Sequence, residues 1–202
     1  DTFRLKRLFY ARGGENQSNA GTSTQPEILS NYVPVPFGAS SGFLAQNTSY
    51  IGPSQIVKNE FNRPMVFMTA AESFFLLAEA KQRYDEGVNL PASAQDYYEQ
   101  GVRESFRLTG TTAKYGADKV ETLLTSGIAL ADWDASVNKL EAIWQQKWLA
   151  LVNYSGLEAW SEYRRTNFPN TPPSASAPVG AAEPLRLFYP QAEETSNTAN
   201  VK

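Results

Sequence analysis

The sequence predicts a mainly α-helical protein that carries long irregular loops. Three observations lead there. Between residues 69 and 169, apolar side chains recur at spacings of three and four, the period of a helix with one buried face. Helix-start residues stand in front of those runs. The flanking stretches are instead crowded with Gly, Pro, Ser and Asn, which punctuate loops and turns.

Composition bounds the function. A chain of 202 residues that is 42% hydrophobic can build one core, so a single domain is expected. Its sections are a loop-rich segment (1–62), a helical core (63–169) and an irregular tail (170–202). The formal net charge of −3 gives no basic footprint for DNA or RNA. With no His and no Cys, Ser-His-Asp triads, Cys nucleophiles and Cys/His zinc sites are excluded. No run approaches the roughly 18 apolar residues of a membrane span.

Within 1–62, "GGENQSNAGTSTQPE" reads as a polar connector, and "NYVPVPFGASSGFLAQNTSYIGPSQ" as long loops with one or two short strands. Thr69, with Glu72 three residues on, has the pattern of a capping box that starts a helix. Its apolar face runs through Ala71, Phe74, Leu77 and Ala78, widened by Phe75 and Leu76, and Gly87 is placed to close it. Ser93 caps a second helix, whose face is Ala94, Tyr97, Tyr98, Gly101, Val102, Ser105 and Phe106. The small residues Ala78, Ala80, Ala94 and Gly101 let the two axes approach closely. A short helix fits Lys119 to Thr125. From Asp134 or Ser136 a strong helix is expected to Tyr154, with Val137, Leu140, Trp144, Trp148 and Leu151 as its stripe. That stripe assigns Trp144 and Trp148 to the core, and Trp133 to a lid or to an N-terminal staple. A shorter helix carries Leu157, Trp160 and Arg164 up to Pro169, which stops it. In the tail, "LRLFYP" reads as a short strand.

The first two helices look like one tetratricopeptide-type pair, which cannot cover its own hydrophobic faces and must stack on something else. Four stretches carry a more specific resemblance: "RPMVFMTAAESFFLLAEA", "YYEQGVRESF", "KLEAIWQQKWLALVNYSGLEAWSEYRRTNFP" and "RLFYPQAEETSNTAN". In this order, across residues 63–200, they resemble the SusD/RagB family, the surface nutrient-binding lipoproteins of Bacteroidetes outer membranes. The resemblance implies a tetratricopeptide-like α/α superhelix with long loops, of which this chain is the C-terminal part. It also implies a non-enzymatic protein that binds an oligosaccharide or polysaccharide, or in some members peptides, beside a TonB-dependent, SusC-like transporter. Membrane attachment would come only through a lipid anchor upstream of this chain. Glu72, Trp148, Trp160, Arg164, Arg165 and Pro169 match the family motifs and read as structural.

For ligand contact the sequence points to the loop from Tyr32 to Tyr50. Carbohydrate sites use flat aromatics beside amides and hydroxyls, and Tyr32, Phe37, Phe43 and Tyr50 are interleaved with Asn47 and other polar residues. The bland reading is that these rings pin the loop to the helices. Arg164 is expected to reach helix-end carbonyls or stack on an aromatic ring, and Arg165 to pair with Glu162 or Glu193. Capping and solvent-exposed roles suffice for Glu72 and Glu79, and no carboxylate pair is arranged to keep one acid protonated. No cofactor is expected. Oxygen ligands for a structural calcium ion are plentiful, but without an Asp-x-Asp-x-Asp-Gly loop none is assigned. Two other functions stay open on the residues alone: a helical-repeat adaptor for other proteins, and an α-helical glycosidase.

Overall fold

The computed structural model describes residues 1–12, 26–54, 62, 65–181 and 189–200. Its centre is the antiparallel pair α2 (Ala70–Tyr84) and α3 (Ala94–Leu108), with α6 (Lys139–Leu151) packed across both. Thr69 caps α2 by accepting from the Glu72 amide at 3.0 Å. Ser93 and Asp96 form the full reciprocal capping box of α3. Phe75 meets the Tyr98 ring at 6.2 Å and lies against Gly101, where an added Cβ would fall 2.8 Å from the ring. This is the close approach that the small residues predicted. The fold is mainly α and tetratricopeptide-like, with α4 (Thr111–Tyr115) and α5 (Asp118–Leu124) continuing from α3.

Several boundaries and faces differ from the sequence reading. Helix α2 ends at Tyr84, and Asp85 (φ 26°) rather than Gly87 is its C-cap. Helix α6 starts at Lys139, capped by Asn138, and stops at Leu151. The residues before it prefer a side-chain-stapled turn. Asp132 accepts from the Asp134 and Gly127 amides at 2.9 and 2.8 Å, and the Ser136 hydroxyl donates to the Asp132 carbonyl at 2.6 Å. Val137 is thereby fully exposed instead of buried. Trp133 is neither lid nor staple but core, 8% exposed and 5.2 Å from the Tyr98 ring.

The buried face of α6 is Ala142, Ile143, Gln146, Lys147, Ala150 and Leu151. Trp144 and Trp148, expected in the core, are only half-buried on its flanks. Two polar side chains take the inner positions because each finds partners there. Gln146 accepts from Arg4 at 2.5 Å and donates to the Leu130 carbonyl at 2.8 Å, and Lys147 pairs with Glu162.

The loop-rich segment holds a helix that its sequence hides, α1 (Thr2–Leu8). Its buried positions are Arg4 and Leu8, so half of its inner face is charged and shows no apolar period. Arg4 is 1% exposed, donates to Ser105 at 3.1 Å and rests on the Phe106 ring at 5.0 Å. Burial lowers its pKa to about 10. After α1, β1 (Phe9–Tyr10) pairs antiparallel with β2 (Tyr50–Ile51), in the register Phe9 to Ile51 and Tyr10 to Tyr50. The long loop is thus closed at its base. The tail contains α8 (Gln191–Ser196), and the strand expected in "LRLFYP" falls largely outside the described residues.

Candidate functional site

Helix α7 (Gly156–Thr166) follows α6 after a short turn, and the two pack together. The inner side of α7 is ionic. Glu162, 6% exposed, accepts from Lys147 of α6 at 2.9 Å and from Arg165 one turn on. Arg165 also clasps Glu79 of α2 with two bonds of 2.7 Å, and Glu79 accepts from Arg83 at 2.7 Å. Burial pushes the Glu79 carboxyl up, but the hydrogen bonds from Arg165 and Arg83 outweigh it and hold the group below the ordinary carboxylate range. Glu72 behaves oppositely. Burial raises it, Lys147 opposes the rise, and the negative charges of Glu158 and Glu162 add to it.

This corrects one reading: Glu72 and Glu79 are buried, not solvent-exposed. Glu162 and Glu79 border a cleft of about 490 Å³ with Arg83 and Arg165, yet both acids are tied into ion pairs there. The Arg165 partner is Glu162, as one of the two expected acids, together with Glu79. Glu193 instead accepts from Asn197. The three helices are locked to one another by charge.

The outer side of α7 is aromatic and faces a cavity of about 470 Å³. Trp148 from α6, with Trp160 and Tyr163 from α7, forms one wall. Pro172 and Pro173 from the segment after Pro169 and Phe37 from the long loop also line it. Helix α7 ends on Asn167 in the left-handed region (φ 56°), before the cis Phe168–Pro169 bond, and the strap that follows contributes Thr171, Pro172, Pro173 and Ser174 to the lining. A clip fixes this strap to the loop. The Ala175 amide donates to the Phe37 carbonyl at 2.7 Å, and the Ser176 hydroxyl donates to the Gly38 carbonyl. Gly38 must be glycine on two counts: its φ is 74°, and a Cβ would overlap the Ser174 hydroxyl.

The exposed guanidinium of Arg164 lies 5.0 Å from the Trp160 ring centre, the aromatic stack that the sequence suggested.

Of the five residues expected to touch ligand, the structure brings one, Phe37, into this cavity, and that ring is 74% exposed. Phe43 and Asn47 are exposed elsewhere on the loop, and Tyr50 is held in β2. Tyr32 is half-buried, its hydroxyl pushed up to about 12 by burial and by the nearby Glu27. Trp148 and Trp160, read as scaffold, turn out to be cavity wall. Sequence reasoning did not pick out Tyr163, Pro172 or Pro173 as site residues. The available signal was a Pro/Ala/Ser run directly after an aromatic helix, since proline-rich chain packs readily on aromatic rings.

A family model described as starch-binding associating with outer membrane matches residues 11–190. A SusD homologue from Bacteroides vulgatus is 25% identical with a TM-score of 0.67, over 97% of this chain and 41% of its own. One from Bacteroides thetaiotaomicron is 26% identical with a TM-score of 0.65, over 98% of this chain and 43% of its own. A structure described as a chitin-binding protein is 25% identical with a TM-score of 0.62, over 98% of this chain and 41% of its own. No curated protein matches. The chain therefore spans about two fifths of the length of the solved structures it resembles. With the family model matching residues 11–190 and helix pairs, loops and motifs in the family's order, the chain belongs to the SusD-like family.

Proposed function

We propose that this chain forms the glycan-holding part of a non-catalytic protein at the outer-membrane surface. It captures an oligosaccharide or polysaccharide and presents it to a TonB-dependent, SusC-like transporter. Attachment to the membrane would run through a lipid anchor outside these 202 residues. The observation that carries this reading is the aromatic cavity between α6, α7 and the strap. Its volume lies within the usual range of ligand pockets, about 300–1,000 Å³. The C–H faces of sugar rings pack against flat aromatic rings, and Trp148, Trp160, Tyr163 and Phe37 supply four of them from three parts of the chain. The family's description as starch-binding and the chitin-binding relative support a polysaccharide ligand. The ion-paired state of Glu79 and Glu162 supports capture without hydrolysis, since a glycosidase needs one carboxylic acid and one carboxylate free to face the sugar.

Affinity electrophoresis against a polysaccharide panel tests the reading. At least one glycan should retard the protein. Trp160→Ala should weaken that binding by about 2 kcal/mol, roughly thirtyfold, as for a buried aromatic anchor. A triple change of Tyr32, Phe43 and Tyr50 to Ala should leave it nearly unchanged. The reverse pattern would move the site onto the loop, and no retardation by any glycan would remove the glycan assignment.

A further inference from the structure

The ionic cleft between α2 and α7 holds hydrogen-bond donors that the protein itself leaves unused. Its carboxylates are already engaged. Glu79 accepts two bonds of 2.7 Å from Arg165 and one of 2.7 Å from Arg83, and Glu162 accepts from Lys147 and Arg165. Arg83 reaches Glu79 through its Nε alone, so neither of its terminal nitrogens donates to a described residue. Its side chain lines the cleft and is 35% exposed. The Glu79 bond and the Trp144 ring, 5.6 Å away, hold this guanidinium, so little freedom is lost when a ligand docks on it. Two guanidinia against two carboxylates balance the charge of these lining residues, and selection therefore rests on the unused donors rather than on a net field. A ligand here must bring acceptors, and a carboxylate offers two in the plane and spacing of an arginine fork.

The other lining residues bear on what carries that carboxylate. Leu76, Ala80 and Tyr84 stand four apart on α2 and so share one face, and Tyr84 is 64% exposed. An accessible phenol ring next in sequence to the free arginine fork suits a sugar whose C–H face packs on the ring and whose C6 is a carboxylate. The cleft, at about 490 Å³, is within the usual size of ligand pockets. On the glycan reading above, we propose that it is a second glycan subsite, distinct from the aromatic cavity, and that it takes the uronic acid residues of an acidic polysaccharide. Arg83 binds the carboxylate and Tyr84 supplies the platform.

Calorimetry with hexagalacturonate and its C6 methyl ester isolates the carboxylate, because the two share every ring and linkage. The acid should bind at least about tenfold more tightly than the ester. Arg83→Gln should remove that preference and Tyr84→Ala should weaken binding of the acid, with thermal melting showing both variants folded, while Trp160→Ala should leave it unchanged. Equal binding of acid and ester, or acid binding that survives in folded Arg83→Gln, would overturn the subsite. Acid binding lost in Trp160→Ala instead would place the uronate in the aromatic cavity and overturn it as well. Hexaglutamate bound as tightly as hexagalacturonate, and lost in the same two variants, would make this a site for acidic peptides and overturn the sugar class. If hexagalacturonate does not bind while a neutral polysaccharide still retards the protein, the subsite fails and the glycan reading stands. If no glycan binds at all, both fail.

Discussion

Arg4, Lys147 and Glu162 are 1%, 4% and 6% exposed, burial that charged side chains reach only with partners in place. Lys147 and Glu162 bind each other at 2.9 Å, and Arg165 links Glu162 to Glu79. The stretch "EAWSEYRRTNFP", with Glu162 and Arg165 near its centre, is therefore a fastener between α2, α6 and α7. The physical consequence is asymmetric. Glu162→Ala leaves the Lys147 ammonium buried without its carboxylate and should destabilise the protein by about 3–5 kcal/mol in chemical denaturation. Replacing both, Lys147→Met with Glu162→Leu, should cost less, because the buried ammonium leaves together with its carboxylate, while Glu72 loses the opposing charge of Lys147. Additive losses in this cycle would show that the two charges do not stabilise each other.

Among the elements, α3 was readable in full. Its capping box and all six of its buried positions follow from Ser93, Asp96 and a face without charge. Helix α6 was readable as a helix but not in its orientation. Gln146 and Lys147 occupy inner positions, and an apolar count cannot register a polar residue that is buried because its partner lies elsewhere. Arg4 concealed α1 for the same reason. The α2–α3 contact depends on Gly101, whose missing Cβ makes room for the Phe75 ring. Gly101→Ala should lower stability by about 1–3 kcal/mol through overpacking, measured by thermal melting. Phe75→Leu in the same chain should recover part of that loss. An unchanged melting temperature in Gly101→Ala would mean that the pair is not closely packed there.

At the scale of the molecule, the cavity is made by residues that the sequence keeps far apart. Phe37 comes from the long loop, Trp148, Trp160 and Tyr163 from two helices, and Pro172 and Pro173 from the strap. Family and helical scaffold were visible in the motifs of residues 63–169. The site was visible only in part, since an amphipathic stripe does not reveal whether its flank meets another helix or a returning proline-rich segment. The Gly38 clip to Ser174 and Ser176 is likewise a contact between residues more than 130 apart in sequence. The most direct test of the account is a crystal structure of the protein with the tightest-binding oligosaccharide of the panel. Sugar rings should stack on Trp148 and Trp160, within the cavity that Pro172, Pro173 and Phe37 also line. An oligosaccharide bound along Phe43, Asn47 and Tyr50, with that cavity left empty, would contradict it.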